Sequence, residues 1–112
     1  MKYLIHKGFT GSIEYSSADG MLYGKVLGIK GLLSYEGITG KDLEKDFIEV
    51  VEEYLKDCTE SGVIPEKPFK GSFNVRIPSY LHQKAALQAM ESKISLNSFV
   101  AEAIRSRVAD EE

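Results

Sequence analysis

The chain has 112 residues, 43% of them apolar and 28% charged, the range of one ordinary domain or two very small ones; disorder and collagen-like repetition are excluded. No apolar run approaches the roughly 18 residues of a membrane helix, and Lys7-Gly8 follows the first six residues without a secretory apolar stretch, so a cytoplasmic location with no membrane partner is expected. One cysteine, Cys58, and two histidines at 6 and 82 offer neither an internal disulfide nor a metal ligand set, and no cofactor is expected.

Charge divides the chain. Residues 1–62 hold seven lysines against eleven acids, a net of −4, whereas residues 67–107 hold seven basic side chains against Glu91 and Glu102, a net of +5. An acidic segment joined to a basic one points to two surfaces with two kinds of partner, nucleic acid being a candidate for the basic one. The boundary is the stretch from Ser61 to Gly71, where Pro65 and Pro68 rule out a continuous helix or central strand. The expected organisation is a first domain over 1–62, an extended linker over 63–70 and a second domain over 71–112.

In the first domain, residues 10–16 and 21–29 flank Ser17-Ala18-Asp19-Gly20, whose Asp-Gly pair signals a hairpin. With a third run over 32–36 the simplest reading is a three-stranded antiparallel sheet. From Lys41 to about Thr59 the period becomes helical, with Leu43, Phe47, Val50, Val51, Tyr54, Leu55 and Cys58 on one face and Thr39 placed to cap the start. The class is therefore α+β, one helix on one sheet face.

The other helix face carries Asp42, Asp46, Glu49 and Glu53, which reads first as a solvated face and second as a surface for a basic partner. Tyr15, Tyr23 and Tyr35, with Glu36, Asp46 and Glu49, are the candidate contacts for such a partner, although strand aromatics commonly serve packing. Catalysis is not expected, because Glu14, Asp19 and Glu36 have no evident common focus and no nucleophile–base spacing accompanies them. His6, near a start expected to fray, and Cys58, on the buried stripe, receive no function.

In the second domain Ser72-Phe73-Asn74-Val75-Arg76-Ile77 alternates strictly, and Pro78 ends the strand. Ser79 is placed to cap a helix through about Ser92, and a second helix begins at Ser95, with Leu96, Phe99, Val100, Ala103, Ile104 and Val108 on one stripe. A lone strand has no local partner for its backbone groups. The economical solution is the same strand from a second chain about a two-fold axis, which gives a homodimer; two dimers on one DNA site, or a tetramer through the first domain, are equally compatible with the chain.

A two-stranded antiparallel ribbon fits the major groove of B-DNA, and its outward side chains would be Ser72, Asn74 and Arg76 from each chain. Arginine can bond guanine and asparagine adenine bidentately, each good pair discriminating by roughly 1–3 kcal/mol. Lys70 and the second-helix start at Ser95, Asn97 and Ser98 are candidates for phosphate contact. An ordinary solvent-facing strand, and capping alone at Ser95, remain the plain alternatives. Reading residues 79–108 as a helix-turn-helix is opposed by the apolar stripe of the second helix.

The segments Phe73-Asn74-Val75-Arg76-Ile77-Pro78 and Ser95-Leu96-Asn97-Ser98-Phe99-Val100 resemble the ribbon-helix-helix repressors of the Arc and MetJ type. One departure is Lys93, where many members carry a glycine closing the first helix. From about Lys7 to Arg107 the chain also resembles the HicB family of antitoxins, through Tyr15-Ser16, Asp19-Gly20, Gly24-Lys25-Val26-Leu27-Gly28-Ile29, Leu33-Ser34-Tyr35-Glu36-Gly37 and Pro65-Glu66-Lys67-Pro68. That resemblance implies a partial RNase H-like first domain lacking nuclease carboxylates, which binds and occludes a HicA-like mRNA-cleaving toxin, and a second domain that represses its own operon on operator DNA. The alternative is a ribbon-helix-helix repressor whose first domain senses a small ligand.

Overall fold

The computed structural model describes residues 2–109, and these divide into two units between Ser72 and Phe73. The first unit is an antiparallel sheet of β1 (Leu4–His6), β2 (Phe9–Gly11), β3 (Glu14–Ser16), β4 (Met21–Leu27) and β5 (Ser34–Gly37), followed by the helix α1 (Gly40–Ser61). The expected three strands become five. Residues 10–16 split because the chain bulges at Ser12: its amide donates to Lys25 O at 3.0 Å, while its hydroxyl accepts from Lys25 N at 3.0 Å in place of a ladder bond. Gly24 makes room for the bulge, since a Cβ there would collide with the Ser12 carbonyl.

β4 is the central strand. Leu22 is paired with Tyr15 of β3 on one edge and with Gly37 of β5 on the other, and β2 continues the β3 edge through Gly11 and Val26. The strand missed in the sequence is β1, which pairs with β2 through Leu4–Gly11, Ile5–Thr10 and His6–Phe9. Lys7 and Gly8 join the two with φ of 48° and 82°, the left-handed pair of a two-residue hairpin turn.

His6 does not fray: its Nε2 lies 2.6 Å from the Glu52 carboxylate of α1, and Lys7 Nζ reaches the same oxygen at 2.8 Å. The hydrogen bonds from Lys7 and His6 hold the Glu52 carboxyl below its usual range, that of Lys7 contributing most. β1 is thereby clamped to the helix behind it.

α1 exists for the reasons its sequence suggests. The Thr39 hydroxyl accepts from Asp42 N at 3.1 Å, and Leu43, Phe47, Val51 and Cys58 are buried along one stripe. Phe47 and Val51 have no exposed surface and pack with Phe9, Val26 and Tyr35 of the sheet. The helix ends where Gly62, at φ 70°, turns left-handed, so that Gly62 N bonds Thr59 O and Val63 N bonds Cys58 O.

The second unit contains α2 (Ser79–Glu91) and α3 (Leu96–Ala109). Residues 72–78 form neither helix nor paired strand within the single chain. Pro78, rather than Ser79, occupies the α2 cap position, and no side chain caps it; Ser79 is the first helical residue. α2 ends in the same double bond pattern as α1, Lys93 N to Met90 O and Ile94 N to Ala89 O, here with Lys93 itself at φ 61°.

Candidate partner-binding and nucleic-acid interfaces

Along β4, Gly24 and Val26 are buried, so the alternate residues Tyr23 and Lys25 stand on the sheet face away from α1. The strand register lines Tyr23 up between Glu14 of β3 and Glu36 of β5, an acid–aromatic–acid row across three strands. Tyr15, on the β3 edge, is also exposed, and together with Ser16, Asp19, Tyr23, Ser34 and Glu36 it borders one shallow groove. Glu36 borders a second depression with Asp42, Lys45, Asp46 and Glu49. Five of the six expected contact residues thus lie around two adjoining depressions that share Glu36.

The sixth, Tyr35, is elsewhere. It is 4% exposed, stacks edge-on against Phe47 at 5.1 Å, and its hydroxyl donates to Ser12 O at 2.7 Å. Burial pushes this phenol up to about 12. Tyr35 is core, because β5 alternates and Tyr35 and Gly37 take the inward positions. Asp46 has a structural task as well: its carboxylate accepts from Glu36 N at 2.9 Å, occupying an amide of the β5 edge.

Ser72, the last residue of the first unit, and Asn74 and Arg76 of the second are exposed, as are Phe73, Val75 and Ile77, at 73%, 61% and 49%. At the start of α3 the Ser95 hydroxyl accepts from Ser98 N at 2.9 Å and meets Ser98 Oγ at 3.0 Å, so Ser95 is a helix cap. The first-turn amides of Leu96 and Asn97 have no helical carbonyl to bond, which leaves donors where an anion could sit. Lys70 and Asn97 are exposed.

Among the described residues no cluster of three or more His, Cys, Asp or Glu could hold a metal ion, and no helix is long and apolar enough to cross a membrane. Sequence reasoning missed the His6–Lys7–Glu52 clamp and the contacts of Glu66 with Lys30, Gly31 and Tyr54. The Lys-Gly turn was the available signal for the former; the latter joins positions 36 residues apart and leaves no local pattern.

Neither a curated protein nor a solved structure matches the chain. Residues 54–104 match the HicB family, a span from the later turns of α1 through Pro65 and Pro68 into α3, and this match supports membership of that family.

Proposed function

We propose that the chain is the antitoxin of a toxin–antitoxin pair, which occludes a HicA-like toxin with its first unit and represses its own operon with its second. The observation that carries this reading is the segment 73–77, whose apolar side chains lie open to solvent in alternation with Asn74 and Arg76. A second copy pairing antiparallel would bury Phe73, Val75 and Ile77 over the two helix pairs, and it would satisfy the backbone groups of both strands. Ser72, Asn74 and Arg76 of each chain would then read bases in the major groove. Lys70, Asn97 and the α3 start around Ser95 and Ser98 would hold phosphate and fix the register.

The first unit acts without catalysis in this reading. Its antiparallel sheet backed by one helix is compatible with a partial RNase H-like fold. Tyr15, Tyr23, Glu36, Asp46 and Glu49 would meet the basic surface of an RNA-cleaving toxin, with the tyrosines as anchors and the acids steering encounter. Tyr35 is not among them.

Arg76→Ala separates the two activities. In a gel-shift titration at fixed salt on DNA upstream of its own gene, sequence-specific binding is expected to disappear while neutralisation of the toxin in cells persists. Retained operator affinity at matched salt would overturn the strand-reader assignment. Sedimentation of the full chain as a monomer at micromolar concentration would overturn the shared ribbon.

A further inference from the structure

Residues 64–69 lack regular secondary structure, yet they are fastened to the rest of the first unit at four points. The Glu66 carboxylate accepts from Lys30 N and, at 3.4 Å, from Gly31 N in the β4–β5 turn. Glu66 N donates to the Tyr54 hydroxyl at 2.8 Å, and Phe69 N donates to Gly28 O at 3.0 Å. The Phe69 ring lies over Gly28, where an added Cβ would meet it at 2.7 Å. Pro65 and Pro68 restrict the backbone between these fastenings, so the segment docks and leaves as one piece.

Its attachment is shallow. Ile64 and Phe69 remain mostly exposed, only Glu66 and Pro68 are half-buried, and the Lys30 and Gly31 bonds lie in solvent, where a hydrogen bond exchanges for water with little net gain. Phe69 is held at φ 49°, in the left-handed region that a phenylalanine avoids, and that strain is relieved on release. Few buried contacts and exposed hydrogen bonds characterise segments that open well before the fold around them unfolds.

We propose that residues 64–69 are a detachable strap. Clipped to the β4–β5 turn, it leaves only residues 70–72 as free chain before Phe73; unclipped, it frees residues 64–72 while the sheet and α1 stay folded. At roughly 3.3–3.6 Å per residue the tether lengthens from about 10 Å to about 30 Å. The strap thus sets how far the strand segment beginning at Phe73 can range from the first unit, and any group that takes the Lys30 and Gly31 amides releases it. This device stands whether or not the partners proposed above are correct.

Residue-resolved hydrogen exchange of the full chain tests it. The amides of Lys30, Gly31 and Phe69 should exchange together in the native protein, faster than Val26, whose amide bonds Leu33 O inside the same unit. Glu66→Ala should accelerate all three by roughly tenfold and leave Val26 unchanged. Phe69→Ala, at an exposed position where misfolding is not expected, should accelerate Lys30 and Gly31 in the same way. If the three amides follow Val26, or if Glu66→Ala leaves Phe69 at its native rate, there is no detachable strap.

Discussion

The two units bury their apolar residues to very different degrees. In the first, Leu43, Phe47 and Val51 are sealed between α1 and the sheet, and Phe9, Val26 and Tyr35 close the layer from the other side. In the second, Ala89 is the only described residue that is fully buried, while Leu81, Met90, Leu96, Val100, Ile104 and Val108 stay exposed along with Phe73, Val75 and Ile77. α3 starts on the Ser95 cap and α2, though uncapped at its start, closes with the same pair of amide-to-carbonyl bonds as α1, so the unit is shorter of core than of helix signals. A segment of about 40 residues with that much open apolar surface falls short of a closed core of its own, in keeping with the general difficulty of stabilising very small domains.

The largest effect that can test this contrast is a truncation in the closed core. Phe47→Ala should destabilise the first unit by about 3–5 kcal/mol, read as a shift of its denaturant midpoint that is independent of protein concentration. On the proposed dimer the matching truncation Val100→Ala should act only where the protein is concentrated enough to associate, because a second copy would cover the apolar surface it removes. If the midpoint of the second unit does not move with concentration, the contrast between a closed core and a shared one fails.

Tyr35 tests the first core by charge. Its phenol is raised from the usual value near 10 to about 12, burial being the main cause and the charge of Glu14 a lesser one. Above pH 10 the unfolded chain loses this proton while the folded one keeps it. The stabilisation is therefore complete below pH 10 and is lost as pH rises through 12. At about 1.4 kcal/mol per unit, the loss across that window is roughly 2–3 kcal/mol. Tyr35→Phe keeps the ring against Phe47 and should flatten this alkaline limb of the first unit, after a loss of about 1 kcal/mol at neutral pH for the hydroxyl bond to Ser12. An alkaline limb that persists in Tyr35→Phe would mean another group carries it.

What the sequence disclosed follows the range of the interactions involved. α1 was legible nearly to its ends, expected over 41–59 and found over Gly40–Ser61, because a long periodic stripe and the Thr39 cap are local signals. The hairpin at Asp19-Gly20 was legible for the same reason. β1 was not: three residues carry too little alternation, and what makes Leu4–His6 a strand is pairing with β2 and the hold of Glu52 from 46 residues away. The strand broken at Ser12 depended on the empty side of Gly24 across the sheet. The inward position of Tyr35 follows from the β5 register, which one aromatic in a short run does not declare, so the sequence alone does not separate this core residue from a surface anchor. The stretch around Pro65 was recognisable as extended, but its fastening to Tyr54, Gly28 and the Lys30–Gly31 amides joins distant positions. At 72–77 the alternation was plain in the sequence, and a single chain holds no pairing partner to turn it into a strand.

The smallest test compares the two helix ends, which are the same motif made with different residues. α1 closes on Gly62 at φ 70° and α2 on Lys93 at φ 61°, each followed by a paired set of amide-to-carbonyl bonds back into the last turn. Glycine takes this left-handed conformation freely, whereas a residue with a Cβ takes it at a disadvantage of roughly 1–2 kcal/mol. Glycine also leaves the unfolded chain more freedom to lose, which offsets part of the difference. Lys93→Gly should therefore stabilise the second unit by about 0.5–1 kcal/mol, and Gly62→Ala should destabilise the first by about 1 kcal/mol, both measured by chemical denaturation. The two changes are opposite in sign because one relieves the strain that the other introduces. The gain at Lys93 should be equal at high and low protein concentration, because the strain lies within one chain. A gain that appeared only in the associated state would place Lys93 at the contact between copies.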